Sequence, residues 1–155
     1  MTLQTLEPIL REQPFFVGME ERHVELITGC AKNVRFPEGQ YIFREGDPAD
    51  QFYLIRNGLV SVQCMVPHRG VTTVQTVGEG EVLGWSWLFP PHRWHFDARV
   101  QQETHAIEFD GKCLRGKCEH DHDLGYELFR RFIEIVGERL EATRLQLLDL
   151  YASHR

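Results

Sequence analysis

The run Cys113-x4-Cys118-Glu-His120-Asp-His122 is the densest group of metal-ligating side chains in the sequence. Structural zinc sites draw on cysteine pairs separated by about two to four residues. Cysteines five positions apart on a helix diverge by about 140° around its axis, so this run reads as two helix cysteines followed by a solvated, polar helix start. No Gly-x-Ser-x-Gly elbow, Walker loop or His-Glu-x-x-His pair occurs. Asp47, Asp50, Glu79 and Glu81 are carboxylates on turn-forming segments, where a cap or a solvated turn is the ordinary role. Glu81 stands apart because it opens a run in which all 3 tryptophans gather around one cation: Gly80-Glu-Val-Leu-Gly-Trp-Ser-Trp-Leu-Phe-Pro-Pro-His-Arg-Trp-His-Phe96. No catalytic or metal-ligating set emerges, and an enzyme is not expected.

Charge narrows the partners. The 155 residues carry 17 Lys and Arg against 23 Asp and Glu, a formal net charge of -6, with no basic block. Nucleic-acid binding requires clustered cations to neutralise phosphates, so no direct nucleic-acid contact is expected. No apolar stretch approaches bilayer length, and the N-terminus lacks a basic region followed by an apolar run. A cytoplasmic location without membrane contact is therefore expected. Cys30, Cys64, Cys113 and Cys118 are dispersed through a chain long enough to build a core without staples, so reduced thiols are expected.

The elements that must position these residues can be read from periodicity. Residues 2–12 and 19–31 read as short helices broken by Pro14 and Gly18. From Asn33 onward, runs rich in Phe, Tyr, Ile and Val are cut by Gly and Pro, as in an antiparallel barrel or sandwich. Strands are predicted at 33–37, 40–44, 51–56, 59–66, 71–77, 95–101 and 104–109, with Asn57-Gly58 as a hairpin turn. In the strand starting at His95, Phe96, Ala98 and Val100 are predicted to face the core, with His95, Asp97 and Arg99 opposite. A short helix over 111–118 precedes a long one, capped by Asp121 or Asp123 and reaching about Tyr151. Tyr126, Phe129, Ile133, Val136, Leu140, Thr143, Leu147 and Leu150 alternate steps of three and four along it, a heptad seam. Its first half, to about Val136, is predicted to pack on the chain's own barrel and its second half to pair in a parallel homodimer. Gly137 marks a bend between the halves, and His154 and Arg155 form a frayed end.

Helices, a glycine-punctuated barrel and a long terminal helix in this order resemble the cyclic-nucleotide-binding domain of the Crp/Fnr regulators. The resemblance rests on Phe36, Gly39, Ile42, Glu45-Gly-Asp-Pro-Ala-Asp50, Phe52-Tyr53, Ile55, Gly58, Val60, Val62 and Gly80-Glu-Val-Leu-Gly84, and covers about residues 15–150. It implies a mainly β fold with flanking α, a double-stranded β-helix (jelly-roll) barrel with N-terminal helices and a long C-terminal dimerisation helix. Residues 1–155 then form a single domain: helices over 1–32, barrel over 33–110, helices over 111–155. No helix-turn-helix is expected. The resemblance also implies a phosphate-binding cassette at 80–96, in which a short helix offers backbone N–H groups to a cyclic phosphate, a Glu accepts a ribose hydroxyl and an Arg pairs with the phosphate.

Two positions depart from that pattern. Trp85 stands where the ribose Glu is expected, and an indole N–H cannot accept a hydroxyl proton. The Arg position falls on Trp94 or His95, with Arg93 one residue away. The candidate ligand residues are Gly80, Glu81, Gly84, Trp85, Ser86, Trp87, Arg93, Trp94 and His95, joined by Thr143 and Arg144 from the dimer helix. Two readings stand open. In one, a small-ligand-sensing module binds a cyclic nucleotide (cAMP or cGMP) or another small anion in a repurposed pocket and signals through its dimer helix to a regulatory protein partner. In the other, Trp85, Trp87, Phe89 and Trp94 fill the pocket of a ligand-free scaffold. Haem is not expected, because the dimer helix stretch at the pocket has no His and His92 and His95 read as surface residues. An iron–sulfur cluster is not expected either, since only Cys30 lies near the N-terminus. A metal cupin is disfavoured because Gly39 to Gly58 contains no His.

Overall fold

The computed structural model describes residues 3–153. Helices α1 (Leu3–Arg11) and α2 (Glu21–Thr28) lead into strands β1 (Ala31–Phe36), β2 (Tyr41–Phe43), β3 (Gln51–Val66), β4 (Gly70–Gly78), β5 (Val82–Leu83) and β6 (Asp97–Asp110). Helices α3 (Gly111–His120) and α4 (His122–Ser153) follow. The mainly β architecture with flanking helices agrees with the sequence reading. All pairings are antiparallel, in the order β1-β6-β3-β4, with β2 on β6 and β5 on β3, and the path does not close into a ring. Thr2, where the first helix was predicted to start, and the tail His154-Arg155 lie outside the described residues.

Two long strands carry the fold because both of their faces are buried. Along β3, Phe52 and Leu54 face a cluster shared with the helices, while Tyr53 and Ile55 face the interior of the sheet. In β6, Ile107 and Phe109 join the helix-side cluster, and Ala98 and Ala106 the interior one. This two-fold alternation is the strand period expressed with apolar residues on both sides. Phe96, predicted to face the core beside Ala98 and Val100, precedes β6 and is exposed.

The hairpin predicted at Asn57-Gly58 is not a turn. β3 runs through it, pairing with β6 from Gln51 to Gln63, and the register slips on either side of Asn57. Asn57 has no positive φ, which a type I′ turn would require of both residues. Gly58 instead takes φ +113° and lets β6 approach, so that a methyl group there would lie 2.4 Å from Thr104 Oγ1. The two predicted strands 95–101 and 104–109 are likewise one strand, β6. The turn joining β3 to β4 falls at Pro67-His68-Arg69, where the Arg69 N–H donates to Val66 O at 3.0 Å and His68 takes φ 67°.

Carboxylates start both terminal helices. Asp110 accepts from the Cys113 N–H at 3.1 Å and Asp121 from the Leu124 N–H at 3.2 Å. The Leu124 N–H, followed by the guanidinium of Arg22, holds the Asp121 carboxyl below the usual carboxylate range. α4 then runs unbroken through Gly137. Its packing face differs from the predicted one. Leu124, Leu128 and Phe132, spaced by four, are buried against the helix-side cluster, with Ile135 half-buried beside them. The heptad residues Tyr126, Phe129 and Ile133 are exposed instead. The first half of α4 is apolar on two faces, and the heptad count selected the outward one.

Cys30 and Cys113 form a disulfide, which corrects the expectation of reduced thiols. Cys64 and Cys118 are free. Dispersion along the chain says nothing about distance in space: β1 and β6 run side by side, bringing the end of α2 next to the start of α3. The disulfide also removes Cys113 from any metal site with Cys118. No helix among the described residues is long and apolar enough to cross a membrane.

Candidate ligand-binding site

The segment after β5 is shaped by a tight approach at Gly84. This residue has φ +96°, and a methyl group on it would fall 2.6 Å from Trp94 Cη2. The Trp94 indole cannot retreat, because it is stacked on Phe43 with centroids 3.7 Å apart. The helix expected to begin at Gly84, Trp85 and Ser86 is a single 3-10 turn over Ser86–Leu88, started by Trp85. So short a turn sums too few peptide dipoles to act as a helix terminus. The chain then passes a cis Pro90-Pro91 bond.

The Glu45-to-Asp50 stretch pins the far end of this segment. The Gly46 N–H donates to Trp94 O at 2.8 Å, the Trp94 N–H to Asp47 O at 3.0 Å, and the Ala49 N–H to His92 O at 2.7 Å. From α3, Arg115 donates to Trp87 O at 2.5 Å and to Asp50 Oδ1 at 3.2 Å. Arg115 thus ties the segment to the helix that precedes α4.

Between this segment, the sheet and α4 lies a cavity of about 390 Å³. This volume falls within the usual range for small-molecule sites. Of the predicted site residues, Gly84, Trp85, Ser86, Trp94, His95 and Thr143 line it together. The remaining ones sit elsewhere. Gly80 faces Pro14. Glu81 Oε1 accepts the Gly78 N–H at 2.9 Å, closing its own turn. Trp87 is buried in the helix-side core, stacked on Phe52 at 4.9 Å. Arg93 donates to Gly46 O at 2.8 Å, and Arg144 pairs with Glu141 at 3.3 Å on the exposed part of α4. The indoles therefore leave the cavity open: Trp87 is buried in the helix-side core, and Trp85 and Trp94 form part of the cavity wall.

The cation that lines the cavity is Arg139, which the sequence reading passed over as part of the charged flank of the heptad seam. Its side chain is 19% exposed, and its guanidinium lies 4.0 Å from Glu81 Oε2. Burial pulls its pKa down, with Glu81 and Glu138 opposing that shift, yet a guanidinium stays charged at any physiological pH. A signal was available. Arg139 is one helical turn before Thr143, on the same face, and the Thr143 hydroxyl donates to Arg139 O at 2.8 Å. Among the described residues, no carboxylate lines the cavity.

Residues 33–121 match the model of the cyclic nucleotide-binding domain. The chain belongs to this family. A cyclic nucleotide-binding domain of the Crp/Fnr type also accounts for its relatives. The CRP-like cAMP-activated global transcriptional regulator of Mycobacterium tuberculosis is 26% identical over 145 residues, covering 94% of this chain but 63% of the regulator. The chain thus spans less than two thirds of that relative. A crystal structure of a candidate cyclic nucleotide-binding protein from Geobacter metallireducens superposes with a TM-score of 0.79 at 27% identity, covering 86% of this chain and 97% of the other. A cyclic nucleotide-binding domain from Methylobacillus flagellatus shares the fold at a TM-score of 0.79 and 19% identity, over 95% and 83% of the two chains.

Proposed function

We propose that this cyclic nucleotide-binding domain is a ligand-sensing regulatory module in which a small organic anion, held between the sheet and α4, changes the setting of α4 in a homodimer and thereby acts on a protein partner. The observation that carries this reading is the composition of the cavity wall. Val62 and Val77 come from the sheet, Ser86 and Trp94 from the cassette, and Val136 and Arg139 from α4. A ligand filling the space touches the fixed sheet and the helix at once, so it can favour one helix position over another by differential contact. Arg139 adds a second link, since it is held between the cavity and Glu81.

Exposure along α4 supports the homodimer. From Glu141 to Ser153 every described residue is exposed. Leu147 and Leu150 from the heptad seam are among them, as is Leu145, and the seam residue Leu140 just before them is exposed too. So much apolar surface on a protruding helix calls for a cover, and a second α4 in heptad register supplies one. Leu140→Asp combined with Leu147→Asp is expected to give monomers in light scattering; a variant that stays dimeric places the contact elsewhere.

The sensing reading is tested by titrating cAMP and cGMP while following fluorescence of Trp85 and Trp94 at the cavity wall. A saturable change with either nucleotide supports a cyclic-nucleotide sensor. No change with either at millimolar concentration removes that version and leaves only another anion as ligand.

A further inference from the structure

We infer that the cavity between the sheet and α4 is built for an apolar organic carboxylate, with the hydrocarbon body against the sheet and the carboxylate paired to Arg139. This rests on the sensing reading and names the chemical class of its ligand.

The floor and the deep walls are hydrocarbon: Phe43, Val62, Val77, Val82, Leu83 and Trp94, all buried. Such a surface rewards a ligand for each apolar group removed from water. A ribose would lose water from its hydroxyls against this wall, and among the described lining residues there is no carboxylate for a charge-assisted bond to them, only Gln75, Ser86, His95, Thr143 and Gln146 as weaker partners. The wall is equally unsuited to a multiply charged ligand, since Arg139 is the only Lys or Arg among the described lining residues. One charge and a large apolar area match one carboxylate on a hydrocarbon body.

Arg139 suits the head-group role by position as well as charge. It enters from α4, with its side chain mostly shielded from solvent and its nearest carboxylate 4.0 Å away, at the limit of an ion pair. A ligand carboxylate can therefore make the closer, bidentate pair that the guanidinium fork is shaped for. Ser86, 6% exposed, adds a hydroxyl on the same wall.

The test uses decanoate as the probe, decanol as its uncharged counterpart and cAMP as the sugar phosphate, each titrated into the full chain by calorimetry below its micellar concentration. Decanoate is expected to bind saturably and more tightly than decanol. Arg139→Gln is expected to weaken decanoate roughly ten- to a hundred-fold, the usual effect of losing a charge-assisted bond, and to leave decanol unchanged. Val136→Trp, which fills the cavity from the half-buried face of α4, is expected to abolish both. The inference is overturned if decanoate binds equally well to Arg139→Gln, or if it still binds to Val136→Trp. Binding of cAMP without decanoate overturns the carboxylate assignment while the sensing reading stands. If neither probe binds, the carboxylate assignment and the cAMP version of the sensing reading both fail.

Discussion

Gly58→Ala is expected to destabilise the fold by about 3 kcal/mol or more, the combined scale of a forced positive φ and an overpacked contact. The glycine holds φ +113°, outside the small left-handed region that other residues visit. The added methyl would also lie 2.6 Å from Thr104 Cα and 2.7 Å from Glu103 O. These are backbone atoms of β6, so relief requires moving a strand that pairs with β1, β2 and β3. Gly46→Ala is the matched control: φ there is +88° with nothing within 4 Å of the new methyl. It is expected to cost only the conformational part, about 1 kcal/mol. Urea denaturation of the two variants reads the difference, and equal losses would mean that β3 and β6 do not cross as closely as described.

Opening the Cys30–Cys113 disulfide is expected to have a larger effect still. The bond spans a sequence separation of 83 residues, and a loop of that size corresponds to about 4.5 kcal/mol of denatured-state entropy in the chain model. For a chain of this length the melting temperature is expected to fall by roughly 10–15 °C. The disulfide is also one of several ties on α3, with Arg115 on the cassette and Lys117 donating to Leu26 O at 2.6 Å. Thermal melts with and without dithiothreitol, and of Cys30→Ser combined with Cys113→Ser, measure it. Thiol titration of the unreduced, denatured chain is expected to find only Cys64 and Cys118. Four reactive thiols, or identical melts in both conditions, would remove the crosslink from this account.

The fate of the two Asn-Gly and tryptophan signals shows where reading from sequence stops. Asn57-Gly58 has the composition of a turn, but a local motif cannot register that another strand will press against it, and the steric need at Gly58 comes from Thr104. Trp85, Trp87 and Trp94 are near neighbours in sequence, yet their surroundings differ: Trp85 and Trp94 line the cavity and Trp87 is buried in the helix-side core. One starts a 3-10 turn, one stacks on Phe52 in the helix-side core, and one lies on Phe43 beneath the cavity.

What the sequence determined by itself was everything set by local period and punctuation: antiparallel strands cut by glycines, carboxylate-started helices at the C-terminal end, and the family to which residues 33–121 belong. Tertiary structure alone decided which faces meet. Two apolar stripes on α4 look equivalent along the chain, and only packing buried Leu124, Leu128 and Phe132 rather than the heptad seam. Packing also took Arg93 away from the cavity and brought in Arg139, 46 positions further along, because a binding site is assembled by distance in space, which residue spacing does not encode.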